Sequence, residues 1–272
     1  MYAQLASAVE TAEMVLIGIG EEWKYGFDTM WKDPLYADVL EKAVDEYKWI
    51  IPYLEYVYMH DHSTCYNQSA YNKLYDLVKN KNYFVISTCL DRKIYESGFS
   101  MERCVFPCGS YEYLQSRQNN SNEIVKAVES DIFVSLMSDL HMLLNGKKRI
   151  CDINKPILNG DEMVFNQKRP EWFDVNYNEM AYIDQWQVYT NWISKSLNHE
   201  LLILELGVGF DFPSVIRWPF EKITLLNKKA YMIRVHEKMY QLTADIKDKA
   251  ISVPIDSVSY IMQEKHEDEV KE

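Results

Sequence analysis

Two kinds of hydrophobic spacing alternate along the chain. The first is helical. Leu5, Val9 and Ala12 fall on one face of residues 5–13, and Val39, Leu40, Ala43, Val44 and Tyr47 form a stripe over 37–51. Tyr71, Leu74, Tyr75 and Val78 repeat at i, i+3, i+4 and i+7, which predicts a helix over 69–79. Pro52 is expected to end or kink the helix before it. The second kind is the short continuous apolar run. Met14 to Ile17 stops at Gly18-Ile19-Gly20, and Leu201 to Leu206 stops at Gly207-Val208-Gly209. Tyr83 to Thr88, Ala230 to Val235 and Ala250 to Ile255 are similar runs rich in β-formers. Runs of this length bounded by turn residues predict strands buried on both faces.

Three longer stretches complete the pattern. Residues 122–144 predict a helix capped by Ser121 or Asn122. Residues 181–197 predict another, with Ile183, Trp186, Ile193 and Leu197 inward. Residues 151–178, with Pro156, Gly160 and Pro170, predict a loop-rich insert of turns that leaves room for a hairpin. Buried strands alternating with helices imply an α/β fold with a mainly parallel sheet. Such sheets bind ligands at the carboxyl ends of their strands, where both glycine turns are expected. The core domain is expected from residues 1–23, 81–109 and 198–263, with a helical insert over 24–80 and a second insert over 110–197. Residues 264–272 form a charged tail.

Composition narrows the function classes. The 272 residues carry 29 basic and 41 acidic side chains, a net charge of -12. That balance lacks the basic field nucleic acid requires, so no nucleic-acid partner is expected. No apolar run reaches membrane-spanning length, and the amino-terminal segment has acids and no basic n-region, so the expectation is a cytoplasmic protein without a membrane partner. The five cysteines (Cys65, Cys89, Cys104, Cys108 and Cys151) are odd in number and scattered, which suits thiols better than a disulfide framework. His60-Asp61-His62, with Cys65 beyond, has ligand-like spacing, but a polar loop after an aromatic helix explains it as well.

Four segments together resemble the sirtuin family: VLIGIG (15–20), YFVISTCLDRKIYESGF (83–99), CVFPCGSYEYLQ (104–115) and LELGVGFDFPSVIRWPFEKIT (204–224). The last is similar to the sirtuins linked to macrodomain operons and to bacterial sirtuin-like relatives. The resemblance implies a Rossmann-like, doubly wound domain with a small lobe made of a helical module and a zinc module. It also implies NAD as cofactor, with nicotinamide leaving and an acyl-lysine oxygen or another nucleophile attacking the ribose.

The departures from the family are as informative. Gly18 and Gly20 keep the first glycine turn, but Glu21 and Glu22 follow where the family has a small residue and a serine. The two glutamates either cap a helix start or place carboxylate in the anion site. Thr88 and Asp91 keep their places in the family's T-x-N-x-D, while Cys89 replaces the asparagine and cannot copy an amide's donor and acceptor. Cys89 is therefore either a nicotinamide-site residue or a small buried thiol. The family's catalytic histidine falls on Cys108, which acts as base or nucleophile only if a cationic neighbour lowers its pKa, and is otherwise structural. On the adenosine side Gly207 and Gly209 keep the second turn. Asp211 stands in Phe210-Asp211-Phe212-Pro213, and His236 falls near the family asparagine of the next strand. Of the zinc cysteines only Cys151 remains, with Asn154 and Ser116 near other ligand places, so no zinc is expected. Trp172, Phe173 and Phe165 are expected to hold that insert instead.

These readings give catalytic candidates Asp91, Cys108 and Cys89, and cofactor contacts Gly18, Gly20, Thr88, Gly207, Gly209, Asp211 and His236. The expected function is binding of NAD or ADP-ribose with impaired deacylase chemistry, with a protein partner allowed. An active ADP-ribosyltransferase or NAD hydrolase, and a non-nucleotide scaffold on the same fold, stand as alternatives.

Overall fold

The computed structural model describes residues 2–24, 26–62, 67–118, 123–168 and 177–263. They divide into two compact units. The first comprises Met1–Lys24, Asn67–Pro107 and Gln185–Glu272, and the second Tyr25–Tyr66 and Cys108–Asp184.

The first unit is built on a parallel sheet. Its strands are β1 (Met14–Ile19), β2 (Asn82–Ser87), β3 (Cys104–Val105), β8 (Leu201–Leu206), β9 (Ala230–Val235) and β10 (Ala250–Val253). They lie in the order β10-β9-β8-β1-β2-β3. β1 and β8 are buried at every residue, as a strand covered on both faces must be. Side chains alternate between the faces. Val15, Ile17, Val85 and Leu204 join Leu5 and Val9 of α1 (Tyr2–Thr11), Tyr71 and Leu74 of α4 (Gln68–Val78) and Tyr260 of α8 (Ser257–Met262). On the other face Gly18 lies under Ile216 and Phe220, at the start of α7 (Arg217–Leu226), and Phe84 packs on Tyr189 and Trp192 of α6 (Ile183–Ser194). Helices thus cover both faces, and the strand order reverses between β1 and β8.

α6 turns differently from its predicted face. Ile183 and Leu197 are exposed, and Tyr189 is the buried residue. The aromatic rings 186, 189 and 192 are three residues apart, and Phe84 selects that stripe.

The second unit contains α2 (Pro34–Glu46), α3 (Ile51–Asp61) and α5 (Asp131–Leu144) with an antiparallel sheet. The sheet's strands are β4 (Gly109–Ser116), β5 (Ile124–Lys126), β6 (Ile157–Leu158) and β7 (Asp161–Gln167), ordered β5-β4-β7-β6. β6 and β7 form the hairpin for which the sequence left room. Pro52 starts α3 rather than ending α2, because proline in a helix's first turn sacrifices no hydrogen bond. The helix predicted over 122–144 begins at Asp131 after Ser130. Residues 124–126 form β5 instead, because Leu114 and Gln115 of β4 offer them an edge to pair with. Ser121 and Asn122 lie outside the described residues. Phe165 packs with Tyr53, Tyr56, Tyr111 and Phe133 at centroid separations of 4.8 to 5.7 Å. The Tyr53 hydroxyl donates to Met163 O at 2.8 Å. Trp172 and Phe173 lie outside the described residues, as do Cys65 and the tail 264–272.

α4 and α6 belong to the first unit, whereas the expected inserts, 24–80 and 110–197, included them. Each packs its apolar face onto the parallel sheet or its helices, which a boundary read from composition does not register.

Candidate functional site

The two glycine turns meet where the strand order reverses. Gly20 N–H donates to Leu206 O at 2.9 Å, and Glu22 N–H donates to Gly207 O at 3.2 Å. A Cβ on Gly20 would lie 2.4 Å from Val208 Cα, so the glycine permits backbone to touch backbone. Gly207 holds φ +62°. Thr88, at the end of β2, donates from its N–H to Ile19 O at 3.0 Å and closes the other side of β1. Gly18 has a packing role in this arrangement, since a Cβ there would lie 2.5 Å from Ile216 Cγ2.

The residues after the first turn fold over the second. Glu21 accepts from Gly209 N–H at 2.5 Å and from Asp211 N–H at 3.2 Å, one bond to each carboxylate oxygen. Glu22 accepts from Glu237 N–H and Ser257 N–H, each at 2.8 Å. Its Oε1 lies 3.0 Å from His236 Nδ1. Trp23 is buried, packs at a tilt against Tyr71 with ring centroids 4.7 Å apart, and donates from Nε1 to Ser257 Oγ at 3.0 Å. Asp211 pairs with Lys24 at 2.7 Å on the surface. Glu21 and Glu22 stand in a short 3-10 turn, Glu21–Trp23, and their carboxylates take main-chain N–H groups from outside that turn.

Burial opposes ionisation of Glu22, but hydrogen bonds from His236, the Ser257 hydroxyl and the two main-chain N–H groups outweigh it and hold its pKa at about 2. A carboxylate depressed on folding stabilises the fold above its unfolded pKa, and that contribution is lost as pH falls through the folded value. The window therefore runs from 4.5 down to about 2. Wild type is expected to lose on the order of 3 kcal/mol more than Glu22→Gln across it. Thermal melts of both proteins at pH 6, 4 and 2.5 check this, and parallel curves would contradict it.

Beneath the second turn lies a buried ion network. Arg234 on β9 faces Glu205 on β8 in register and donates Nε and Nη2 to its two oxygens at 2.6 and 3.0 Å. Its Nη1 reaches Glu221 at 2.8 Å. Arg217 donates to Val208 O and Met239 O, each at 2.8 Å, and lies 3.6 Å from Glu205. Burial works against the Arg234 cation, and Glu205 and Glu221 overcome it, keeping the guanidinium charged. The network ties the Gly207–Gly209 turn to the sheet. Sequence reading missed it, though a glutamate and an arginine inside two apolar runs were the signal.

On the nicotinamide side by resemblance, Cys89 is buried, with its Sγ 3.5 Å from Gly20 O. Burial pushes its thiol far up, and the Asp91 carboxylate adds to the rise. A thiol so placed stays protonated and makes a poor nucleophile. Asp91 accepts from Lys93 N–H at 2.9 Å and shapes the turn after β2. Cys108 belongs to the second unit. It is buried, its carbonyl accepts from Lys168 N–H at 2.9 Å, and the following Gly109, at φ +87°, lies against Asn166 O. Cys151 is exposed beside Asp152. His60 and His62 each place Nδ1 3.0 Å from the carbonyl four residues earlier. Among the described residues no group of three or more His, Cys, Asp or Glu is placed to hold a metal. A cavity of about 310 Å³ lined by Thr11, Glu200 and Tyr231 lies at the amino-terminal ends of the strands, away from the turns.

The same architecture occurs in solved structures. A Sir2 mutant with a p53 peptide and NAD superposes with a TM-score of 0.58, 14% identity, and coverage of 96% of this chain and 96% of that one. Sir2Tm bound to a propionylated peptide gives 0.55, 12%, and coverage of 96% and 95%. The chain is sirtuin-like. No family profile matches the sequence. Among curated proteins, the Protein ADP-ribosyltransferase of Staphylococcus aureus (strain Mu50 / ATCC 700699) is 22% identical over 93% of this chain and 83% of its own length. A Probable bifunctional ADP-ribose hydrolase/ADP-ribosyltransferase of Fusarium oxysporum f. sp. cubense is 27% identical over 62% of this chain, which spans 28% of that protein. The fold and its lobe of helices and antiparallel sheet therefore follow the sirtuin plan. Among the described residues no helix is long and apolar enough to cross a membrane.

The sirtuin fold implies a dinucleotide, and its diphosphate has to compete with two carboxylates for this crevice. The N–H groups of Gly209, Asp211, Glu237 and Ser257 are already hydrogen-bonded to carboxylate. The space beside Gly207 and Gly209 is filled by Glu22 Cβ, 2.6 Å from an added Cβ, and by Glu21 Oε2 at 3.2 Å.

Proposed function

We propose that this sirtuin-like protein binds a nicotinamide nucleotide, NAD or ADP-ribose, at the joined ends of β1 and β8, with its deacylase chemistry impaired. The observation that carries this reading is the backbone contact between Gly20 and the Gly207–Gly209 turn at the reversal of strand order, the position at which open α/β sheets take ligands. Retention of the second turn, with Asp211 and His236 around it, supports an adenosine contact there. The impairment rests on Cys89, a protonated thiol where the family has an amide, and on Cys108 in place of the histidine. The insert over 110–197 is a zinc-module remnant without zinc in this reading, with Cys151 as its last ligand cysteine and Phe165 among the residues that hold it. A protein partner fits the reading, because sirtuin structures bind peptides.

An active NAD-consuming ADP-ribosyltransferase is the second reading. The ADP-ribosyltransferase relative that spans most of the chain and the retained Asp91 favour it. Calorimetric titration with NAD and with ADP-ribose, followed by measurement of nicotinamide release, separates the two. Binding with release at least a hundredfold below that of a deacylating sirtuin is the expected result. Brisk release, abolished in Asp91→Ala, would establish the transferase instead. Failure of NAD, ADP-ribose and adenosine alike to bind would remove the nucleotide reading and leave a scaffold.

A further inference from the structure

We infer that Glu21 and Glu22 form an internal acidic plug that tunes what the crevice holds: it weakens binding of the diphosphate of a dinucleotide at least tenfold and leaves nucleosides unaffected. The inference deepens the nucleotide reading of this site and rests on it.

A diphosphate at crossed strand ends is held by main-chain N–H groups and by the absence of side chains, which lets the backbone approach it. Here one N–H proton serves one acceptor, and the acceptors belong to the chain. Glu21 spans Gly209 and Asp211, and Glu22 spans Glu237 and Ser257. The plug is stiff. Glu22 is also fixed by His236, and the adjoining Trp23 is anchored by its bond to Ser257 Oγ and by the Asn67 amide, which donates to Trp23 O at 3.0 Å. A phosphate entering this space meets two carboxylates, and the N–H groups of Gly209, Asp211, Glu237 and Ser257 are already taken. Both side chains must leave before it binds, and their four N–H bonds are broken in the exchange. An uncharged nucleoside needs none of these N–H groups and does not provoke like-charge repulsion.

The test compares ADP-ribose with adenosine on the full chain. Wild type is expected to bind ADP-ribose no more tightly than adenosine. In Glu21→Ala/Glu22→Ser, ADP-ribose is expected to bind at least tenfold tighter than to wild type, with adenosine unchanged within twofold. Glu21→Gln/Glu22→Gln keeps the bulk and one acceptor oxygen of each side chain and removes both charges, so it separates charge from space filling. It is expected to gain at least threefold for ADP-ribose. Circular dichroism melts confirm that each variant is folded. Unchanged or weaker ADP-ribose binding in a folded variant that still binds adenosine overturns the plug and leaves the nucleotide reading standing. Absence of binding by both ligands in wild type and in every variant overturns the nucleotide reading, and the plug falls with it.

Discussion

Glu205→Ala is expected to lower the stability of the protein by about 3–5 kcal/mol, the usual cost of leaving a buried charge without its partner. The side chains of Arg234 and Glu205 are 0% and 1% exposed, and each guanidinium bond to the carboxylate is short and direct. Truncation leaves Arg234 with Glu221 and a carbonyl, and takes from Arg217 the carboxylate 3.6 Å away. The ion network also holds Val208 and Met239 through Arg217, so the second glycine turn should loosen in the same variant. Urea denaturation measures the loss. The double replacement Glu205→Leu/Arg234→Met should recover much of it, because apolar side chains of similar volume carry no desolvation cost. A loss below 1 kcal/mol for Glu205→Ala would show that water or a rearranged partner satisfies the arginines.

Gly20→Ala is expected to be about as damaging, for a different reason. The backbone at Gly20, φ -119° and ψ -153°, is open to alanine, so conformational strain plays no part. The obstacle is contact. The new methyl would lie 2.4 Å from Val208 Cα and 2.5 Å from Gly207 O, both backbone atoms that cannot rotate aside. The turns must separate, which breaks the bonds from Gly20 to Leu206 and from Glu22 to Gly207. Overpacking typically costs 1–3 kcal/mol and each of the two lost hydrogen bonds about 1 kcal/mol, so a loss of about 3–5 kcal/mol is expected. Gly26→Ala is the control. Nothing lies within 4 Å of its Cβ, and it should be neutral within about 0.5 kcal/mol. Equal stability of the two variants in thermal melts would contradict the close approach of the strand ends.

Local spacing made the parallel sheet legible. Each of β1, β2, β8, β9 and β10 falls on an apolar run, because a strand covered on both faces has no polar alternation to hide it. Where spacing alone was the guide, neighbours overruled it. Residues 124–126 left the helix pattern for β4, and α6 turned Tyr189 toward Phe84. Pro52 was read as a stop because proline breaks helices, and it served as a start because the preceding residues form a separate 3-10 turn.

The strand runs and the two glycine turns were readable from residue order alone. These depend on local chemistry: backbone freedom at glycine and burial of apolar runs. Only the tertiary structure decided where Glu21 and Glu22 place their carboxylates, and that Glu205 meets Arg234. Their partners are far along the chain. Glu22 reaches Ser257, and Arg234 meets Glu205 only through the β8–β9 register, so no local pattern records either pairing.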